Sequence, residues 1–344
     1  MLAAVLYGIN SLVIEERVIP KPNSGEIVVQ VDTSGLCPSD VKILRYGSSL
    51  VKYPVVLGHE FSGIVYAVGS DVADVKEGEM VNIPADAYCG VCKSCRVGRE
   101  NICSNPLSFG YNINGAHQDY ILVPKEFVKR GIFKVPDKKL LEEASMTEPL
   151  ACVIHSVEVA KISPNKNVVI IGDGPMGLLH ALVSKIYGAN KVILIGLTDW
   201  KLKLGKEFGA THAINSKYVD ALKEIREICP EGVDATFLTV VNSSTFESAV
   251  SLTSKGGVID IFAGVPKNSV NVKLDPNIVH YNEVSIIGSS GYTYTEYAKA
   301  FDFIVNRKLN LTRMVSHRFP LEKINEAISA WDDKEKSLKI LLKR

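Results

Sequence analysis

The sequence predicts an α/β protein of two domains, one mostly β and the other a doubly wound parallel sheet. Three observations predict it. At 344 residues the chain is too long for one ordinary core. Between about 165 and 289, short apolar runs alternate with helix-length amphipathic stretches, which is how parallel strands with crossover helices read. The first of those runs leads into Gly172-Asp173-Gly174-Pro175-Met176-Gly177, which opens an apolar helix.

The segment from 1 to about 150 is rich in Gly and Pro and carries β-branched runs such as Glu26–Val31 and Phe61–Val68, the pattern of a mostly β domain. The parallel-sheet strands are expected at Val168–Ile171, Val192–Ile195, Thr211–Ile214, Asp234–Val240, Gly257–Phe262 and Val284–Ile287. Beyond 290 come a helix at Tyr294–Asn306, a strand at Met314–Phe319, a helix at Leu321–Trp331 and a final apolar run at Leu338–Leu342. The chain is expected to return there to the first domain. The expected domains are therefore 1–150 with 290–344, and 151–289.

Charge excludes two classes of partner. With 39 Lys+Arg against 38 Asp+Glu, the formal charge of +1 offers no pull toward nucleic acid or an anionic membrane, and no basic patch stands out. Apolar runs stay well below the ~20 residues of a membrane span. The start, Met1–Tyr7, has no basic leader and runs into Glu15-Glu16-Arg17. A cytoplasmic location is expected by default.

Cys89, Cys92, Cys95 and Cys103 fall together among seven cysteines, an odd number that argues against a disulfide framework. Their spacing closes four thiolates around one Zn²⁺. With all four positions filled by protein, such a site is structural. A redox CxxC pair has no need of four cysteines at these intervals. Cys152 and Cys229 are expected to be buried small hydrophobes.

After a strand and before a helix, Gly172, Gly174 and Gly177 supply the tight turn, the close backbone approach and the free N–H groups that a dinucleotide pyrophosphate needs, with Pro175 and Met176 in the first helical turn. The second strand ends at Gly196, where NAD-binding sites usually place an Asp or Glu for the ribose 2′-hydroxyl. Leu197 and Thr198 follow. Asp199 is placed to reach a ribose hydroxyl, and Lys201 or Lys203 to counter a 2′-phosphate. The expected cofactor is NAD(P), with a modest lean to NADP.

Metal-capable groups also occur in Gly35-Leu36-Cys37-Pro38-Ser39-Asp40, Gly58-His59-Glu60 and Thr147-Glu148-Pro149-Leu150. Their spacing by itself assigns no second metal. Taken together with the four-cysteine lobe and the glycine motif, however, the chain resembles the zinc-dependent medium-chain dehydrogenase/reductase family along essentially its whole length. Glu148-Pro149-Leu150, with His155 five residues beyond Leu150, resembles the sorbitol (polyol) dehydrogenase branch.

The resemblance implies a GroES-like catalytic domain with a structural zinc lobe at about 86–106, and a Rossmann dinucleotide domain. It implies two zinc ions per chain, the catalytic one held by Cys37, His59 and Glu148. Glu60 is then either an exchanging ligand or a carboxylate behind the ligands. Ser39 would hydrogen-bond the substrate oxygen and pass its proton outward, and Asp40 would orient the imidazole of His59. The implied reaction is hydride transfer between NAD(P) and a secondary alcohol, or the matching ketone, of a polyol, sugar or related small molecule. L-threonine or a simple secondary alcohol is the alternative within the fold, and a non-catalytic zinc- and nucleotide-binding protein the alternative outside it.

Three positions depart from the family pattern. Lys42 replaces a common relay His, Gly291 precedes Tyr292 where sorbitol dehydrogenases carry Arg, and His117 stands where an aromatic residue is frequent. His117 faces either the substrate pocket or the interior. A homodimer or homotetramer is implied, with the edge strand around Val284–Ile287 as a contact.

Overall fold

The computed structural model describes residues 1–265, 270–306 and 309–344. The chain forms two compact units, Met1–Ala151 with Thr293–Arg344, and Cys152–Tyr292.

In the first unit the strand Ile27–Leu36 is the organiser. It pairs antiparallel with Glu60–Val68, with Tyr120–Val123 and with the C-terminal strand Lys339–Lys343. Its alternate residues Ile27, Val29 and Val31 enter a core with Phe61, Val65, Phe109 and Phe127, where the Phe61 and Phe109 rings meet edge to face at 5.4 Å. The late strand is therefore not an appendage. Its register sets Ile340 opposite Leu36 and Leu341 opposite Gly35, while Gly35 on its other side faces Glu60.

A second tie fixes the segment that carries Glu148. Asn82 donates to the carbonyls of Phe61 at 2.7 Å and Ala144 at 2.8 Å, and accepts from the Tyr297 hydroxyl at 2.7 Å. All of these groups are buried, so each must be satisfied inside the protein. Tyr294, Tyr297 and Phe301 also pack their rings 5.1–5.4 Å from Phe133.

The second unit is a six-stranded parallel sheet in the order His212–Asn215, Val192–Gly196, Val168–Ile171, Val233–Leu238, Thr253–Ile261, Ser285–Gly288. The order reverses beside Val168–Ile171, whose four residues are all buried. Apolar runs covered on both faces form such strands, and the reversal is where doubly wound sheets bind ligands. Among the described residues no helix is long and apolar enough to cross a membrane. Cys229 is buried, whereas Cys152 is only partly covered.

A chain of polar groups runs through this apolar unit. His180 Nδ1 lies 2.7 Å from the Met176 carbonyl and Nε2 lies 2.9 Å from Ser156 Oγ. Ser156 Oγ and Ser289 Oγ in turn lie 2.5 and 2.6 Å from Asp260 Oδ2. A carbonyl only accepts, so Nδ1 carries a proton. Ser156 has one hydrogen for two neighbours, and Asp260 Oδ2 accepts it. Burial pushes His180 down to about 4 and raises Asp260 despite the opposing Ser156, Ser289 and His155, shifting both groups toward their neutral forms. Asp260 Oδ1 finds no partner among the described residues.

The two shifts have opposite signs. Between about pH 4 and 6.5 the unfolded imidazole takes up a proton that folded His180 does not, so His180 costs stability as pH falls through that window, whereas the raised Asp260 costs stability as pH rises above its ordinary range. Denaturant unfolding of Asp260→Asn should therefore show stability falling more steeply than wild type from about pH 6.5 to 4, by up to about 1.4 kcal/mol per pH unit. An identical slope in the variant would show that Asp260 does not oppose His180.

Candidate metal centres and dinucleotide site

Cys37, His59 and Glu60 come together, each offering a ligand atom within 4.8 Å of the other two. Pro38 occupies the first turn of the helix Pro38–Tyr46, where its missing N–H costs nothing. Cys37 is thereby left at the N-cap. Asp40, three residues on, accepts the Cys37 N–H at 3.0 Å and completes a capping box. Ser39 Oγ donates to Cys37 Sγ at 2.9 Å.

Asp40 does more than cap. Its Oδ1 accepts the Gly58 N–H at 3.3 Å and faces His59 Nδ1 at 3.4 Å, while Oδ2 faces His117 Nε2 at 3.4 Å. Burial alone would raise its pKa, but His59 and His117 together hold the carboxyl far below the usual carboxylate range. His117 Nδ1 lies 2.9 Å from Ser34 Oγ, and the residue is 1% exposed. Of its two expected placements, the interior one is observed. Gly58, at φ +95, leaves the room: a Cβ there would sit 2.6 Å from His117 Nδ1.

Glu60 is held from the far end of the chain. Lys339, 4% exposed, forms a buried ion pair with it. Any side chain at Gly35 would collide with that carboxylate. Burial disfavours the ammonium, yet the charges of Glu60, Cys37 and Glu148 raise its pKa, so Lys339 stays charged. Glu148 lies outside the three-residue cluster, and its charge is felt at both Lys339 and Tyr297. Tyr111, whose ring is 5.9 Å from that of His59, has its hydroxyl pushed up to about 12 by burial. Lys339 and Tyr111 were not singled out in the sequence. The first hides in an apolar run and the second in a loop.

The ligand atoms of Cys89, Cys92, Cys95 and Cys103 also lie within 4.8 Å of one another. The sulfurs of Cys89 and Cys95 are 3.9 Å apart, against about 3.8 Å between corners of a tetrahedron with Zn–S of ~2.3 Å. Backbone N–H groups of Cys92 and Cys95 point at the Cys89 and Cys92 sulfurs at 3.4 and 3.5 Å, and those of Cys89 and Asn105 at Cys103 Sγ at 3.3 and 3.4 Å. Such bonds favour thiolate and bring Cys92 down to about 5. Four thiolates suit one tetrahedral zinc, and a thiolate, imidazole and carboxylate set suits a second.

In the second unit, Gly172 has φ +122 and Gly174 caps the helix Pro175–Ile186. A Cβ on Gly177 would strike the Gly172 carbonyl, so the helix start is drawn tight against the strand end. This cradle fits a pyrophosphate. At the end of the second strand, the space beside Gly196 holds Asp173. A Cβ at Gly196 would lie 2.6 Å from both Cγ and Oδ2 of that residue. Asp173 Oδ2 accepts the N–H groups of Leu197 at 2.9 Å and Thr198 at 2.8 Å. Asp199 accepts from Asn215 at 2.6 Å. Lys201 is buried, its ammonium 5.5 Å over the Trp200 ring.

Comparison with known proteins agrees with this geometry. Residues 23–137 match the alcohol dehydrogenase GroES-like domain and residues 175–306 the zinc-binding dehydrogenase family. Sorbitol dehydrogenase of Bacillus subtilis (strain 168) is 32% identical over 99% of this chain and 97% of its own length. A zinc-binding dehydrogenase of Sinorhizobium meliloti 1021, solved bound to NADP, superposes with a TM-score of 0.91 at 29% identity over 100% and 99% of the two chains. An Escherichia coli CFT073 alcohol dehydrogenase complexed with NADH gives 0.90 at 28% over 100% and 99%. The chain belongs to the zinc-dependent medium-chain dehydrogenase/reductase family, in its sorbitol dehydrogenase-like branch, and is a zinc-dependent oxidoreductase.

Proposed function

We propose that this enzyme oxidises a secondary alcohol of a polyol, sugar or related small molecule, or reduces the matching ketone, with NAD(P) as hydride partner. The observation that carries the reading is the convergence of Cys37, His59 and Glu60 with Asp40 and Ser39 behind them. The unit Met1–Ala151 with Thr293–Arg344 is the catalytic one, with a structural zinc lobe at about 86–106, and Cys152–Tyr292 binds the dinucleotide.

Zinc bound at the Cys37 centre supplies Lewis-acid polarisation of the substrate oxygen. Cys37, His59 and Glu148 would hold it, and Glu60, paired with Lys339, would be a carboxylate behind the ligands. Asp40 keeps the His59 ring oriented. The Ser39 hydroxyl, anchored beside Cys37, takes the alcohol proton and passes it outward. At Lys42 the family's relay histidine is absent, so the proton leaves to solvent.

The polyol class is supported by the Glu148-Pro149-Leu150 segment and by the similarity to a sorbitol dehydrogenase. Gly291, in place of the Arg of sorbitol dehydrogenases, separates the class from sorbitol itself. The Asp173 carboxylate fills the place left by Gly196, which favours NAD over the NADP lean expected from Gly196 with Lys201 or Lys203. Seven cysteines with no disulfide between them suit the reducing cytoplasm. The exposed side of the edge strand Ser285–Gly288 suits a homo-oligomeric contact.

A panel of polyols, sugars, threonine and simple alcohols, followed by NAD and NADP reduction, tests the reading. Polyol turnover with two zinc per chain is expected. Turnover of threonine alone would overturn the substrate class, and silence with one zinc per chain would favour a binding-only protein. Ser39→Ala should lower kcat about 10²–10³-fold, the scale of a lost proton-transfer group, with zinc content unchanged. Full turnover would remove Ser39 from the mechanism.

Cys92→Ser should bring zinc from two to one per chain by elemental analysis and lower Tm, because a structural zinc contributes folding free energy directly. Retention of both ions would show that the four-cysteine lobe is not the structural site.

A further inference from the structure

We propose that Asp173, inside the glycine loop, is the acidic residue that selects NAD over NADP, replacing the one absent from position 196. The inference rests on the dinucleotide reading of the second unit and deepens it. In the usual arrangement the acid at the end of the second strand hydrogen-bonds the ribose 2′-hydroxyl and repels a 2′-phosphate. Here the strand Val192–Gly196 ends in glycine, and the space where a side chain would begin is filled from the neighbouring strand end by Asp173, 2.6 Å from a Cβ at that position.

Two observations place negative charge there. Asp173 Oδ2 takes the N–H groups of Leu197 and Thr198, at 2.9 and 2.8 Å. Those are the donors on this loop that an incoming 2′-phosphate would otherwise use, and a carboxylate already satisfies them. The same bonds fix the direction of the carboxyl. Oδ1 is the atom left to meet the ribose 2′-hydroxyl. Asp199 adds a second carboxylate on the same rim, held by Asn215 at 2.6 Å. Of the two lysines that follow, Lys201 is buried against Trp200 and Lys203 is exposed on the same helix. Two carboxylates thus stand at the rim although the strand end itself carries no acid.

Calorimetric titration of the zinc-loaded enzyme with NADH and with NADPH tests this without relying on turnover. The expected wild-type result is NADH bound at least ~10-fold more tightly than NADPH. Asp173→Asn keeps the shape and one acceptor for the two amides while removing the charge. It should cut that ratio at least ~10-fold, mainly through tighter NADPH binding, with Tm little changed. Asp173→Gly combined with Gly196→Asp moves the acid to the strand end and should restore the NADH preference, which gives a second reading where the single variant folds poorly. Equal wild-type affinities, or an unchanged ratio in Asp173→Asn, would overturn the role of Asp173 and leave the dinucleotide reading intact. Failure of both reduced cofactors to bind wild type would overturn the dinucleotide reading, and this inference with it.

Discussion

The buried carboxylate of Asp40 is the constraint on which the candidate catalytic centre depends. It caps the helix Pro38–Tyr46 through the Cys37 N–H, takes the Gly58 N–H, and lies 3.4 Å from both His59 and His117. One group therefore fixes the turn bearing Cys37 and the turn bearing His59. Leaving a buried charge without partners costs about 3–5 kcal/mol, so the two turns and the two rings are held to a common position by that penalty. Ser34 extends the set through His117. The geometry at the metal-capable atoms is thus anchored some distance behind them, which is how imidazole ligands are commonly oriented.

The Lys339–Glu60 pair adds a constraint of a different kind, because it couples the centre to the last strand of the chain. A lysine buried this fully stays charged only where negative groups surround it, and Glu60, Cys37 and Glu148 do so. The antiparallel pairing of Lys339–Lys343 with Ile27–Leu36 is what carries it there. Closing the sheet with the C-terminal strand and completing the charge balance of the centre are one structural event. A cation so placed offsets the negative charge that Glu60, Cys37 and Glu148 bring to bear on it.

Much of this was legible in the sequence for a physical reason: local patterns carry local structure. Parallel strands announce themselves as short apolar runs, so Val168–Ile171 and Val192–Gly196 fall where periodicity puts them. The glycine motif and the four cysteines are close in sequence because each serves a single turn. Lys339, by contrast, lies 279 residues from Glu60, and nothing within the run Leu338–Leu342 signals that one member meets a carboxylate. His117 was legible as an unusual residue without being legible as interior, since its partners Asp40 and Ser34 come from other elements. Asp173 was hidden inside a motif whose variable positions carry no local signal. The polar chain through His180 was equally silent, because Ser156, Asp260 and Ser289 meet only after the sheet forms.

Two glycines share a logic that bears on how such long-range contacts can be recognised. Gly35 is small because the Glu60 carboxylate lies over it, and Gly196 because the Asp173 carboxylate does. In each case the missing side chain is the imprint of a charged group arriving from elsewhere in the fold. The apparent loss of an acid at Gly196 is then a relocation of charge rather than its removal. Electrostatics at a ligand rim depend on where a carboxylate ends up in space and not on which strand supplies it. A glycine at a position that usually bears a functional side chain therefore poses a spatial question: what has come to fill it.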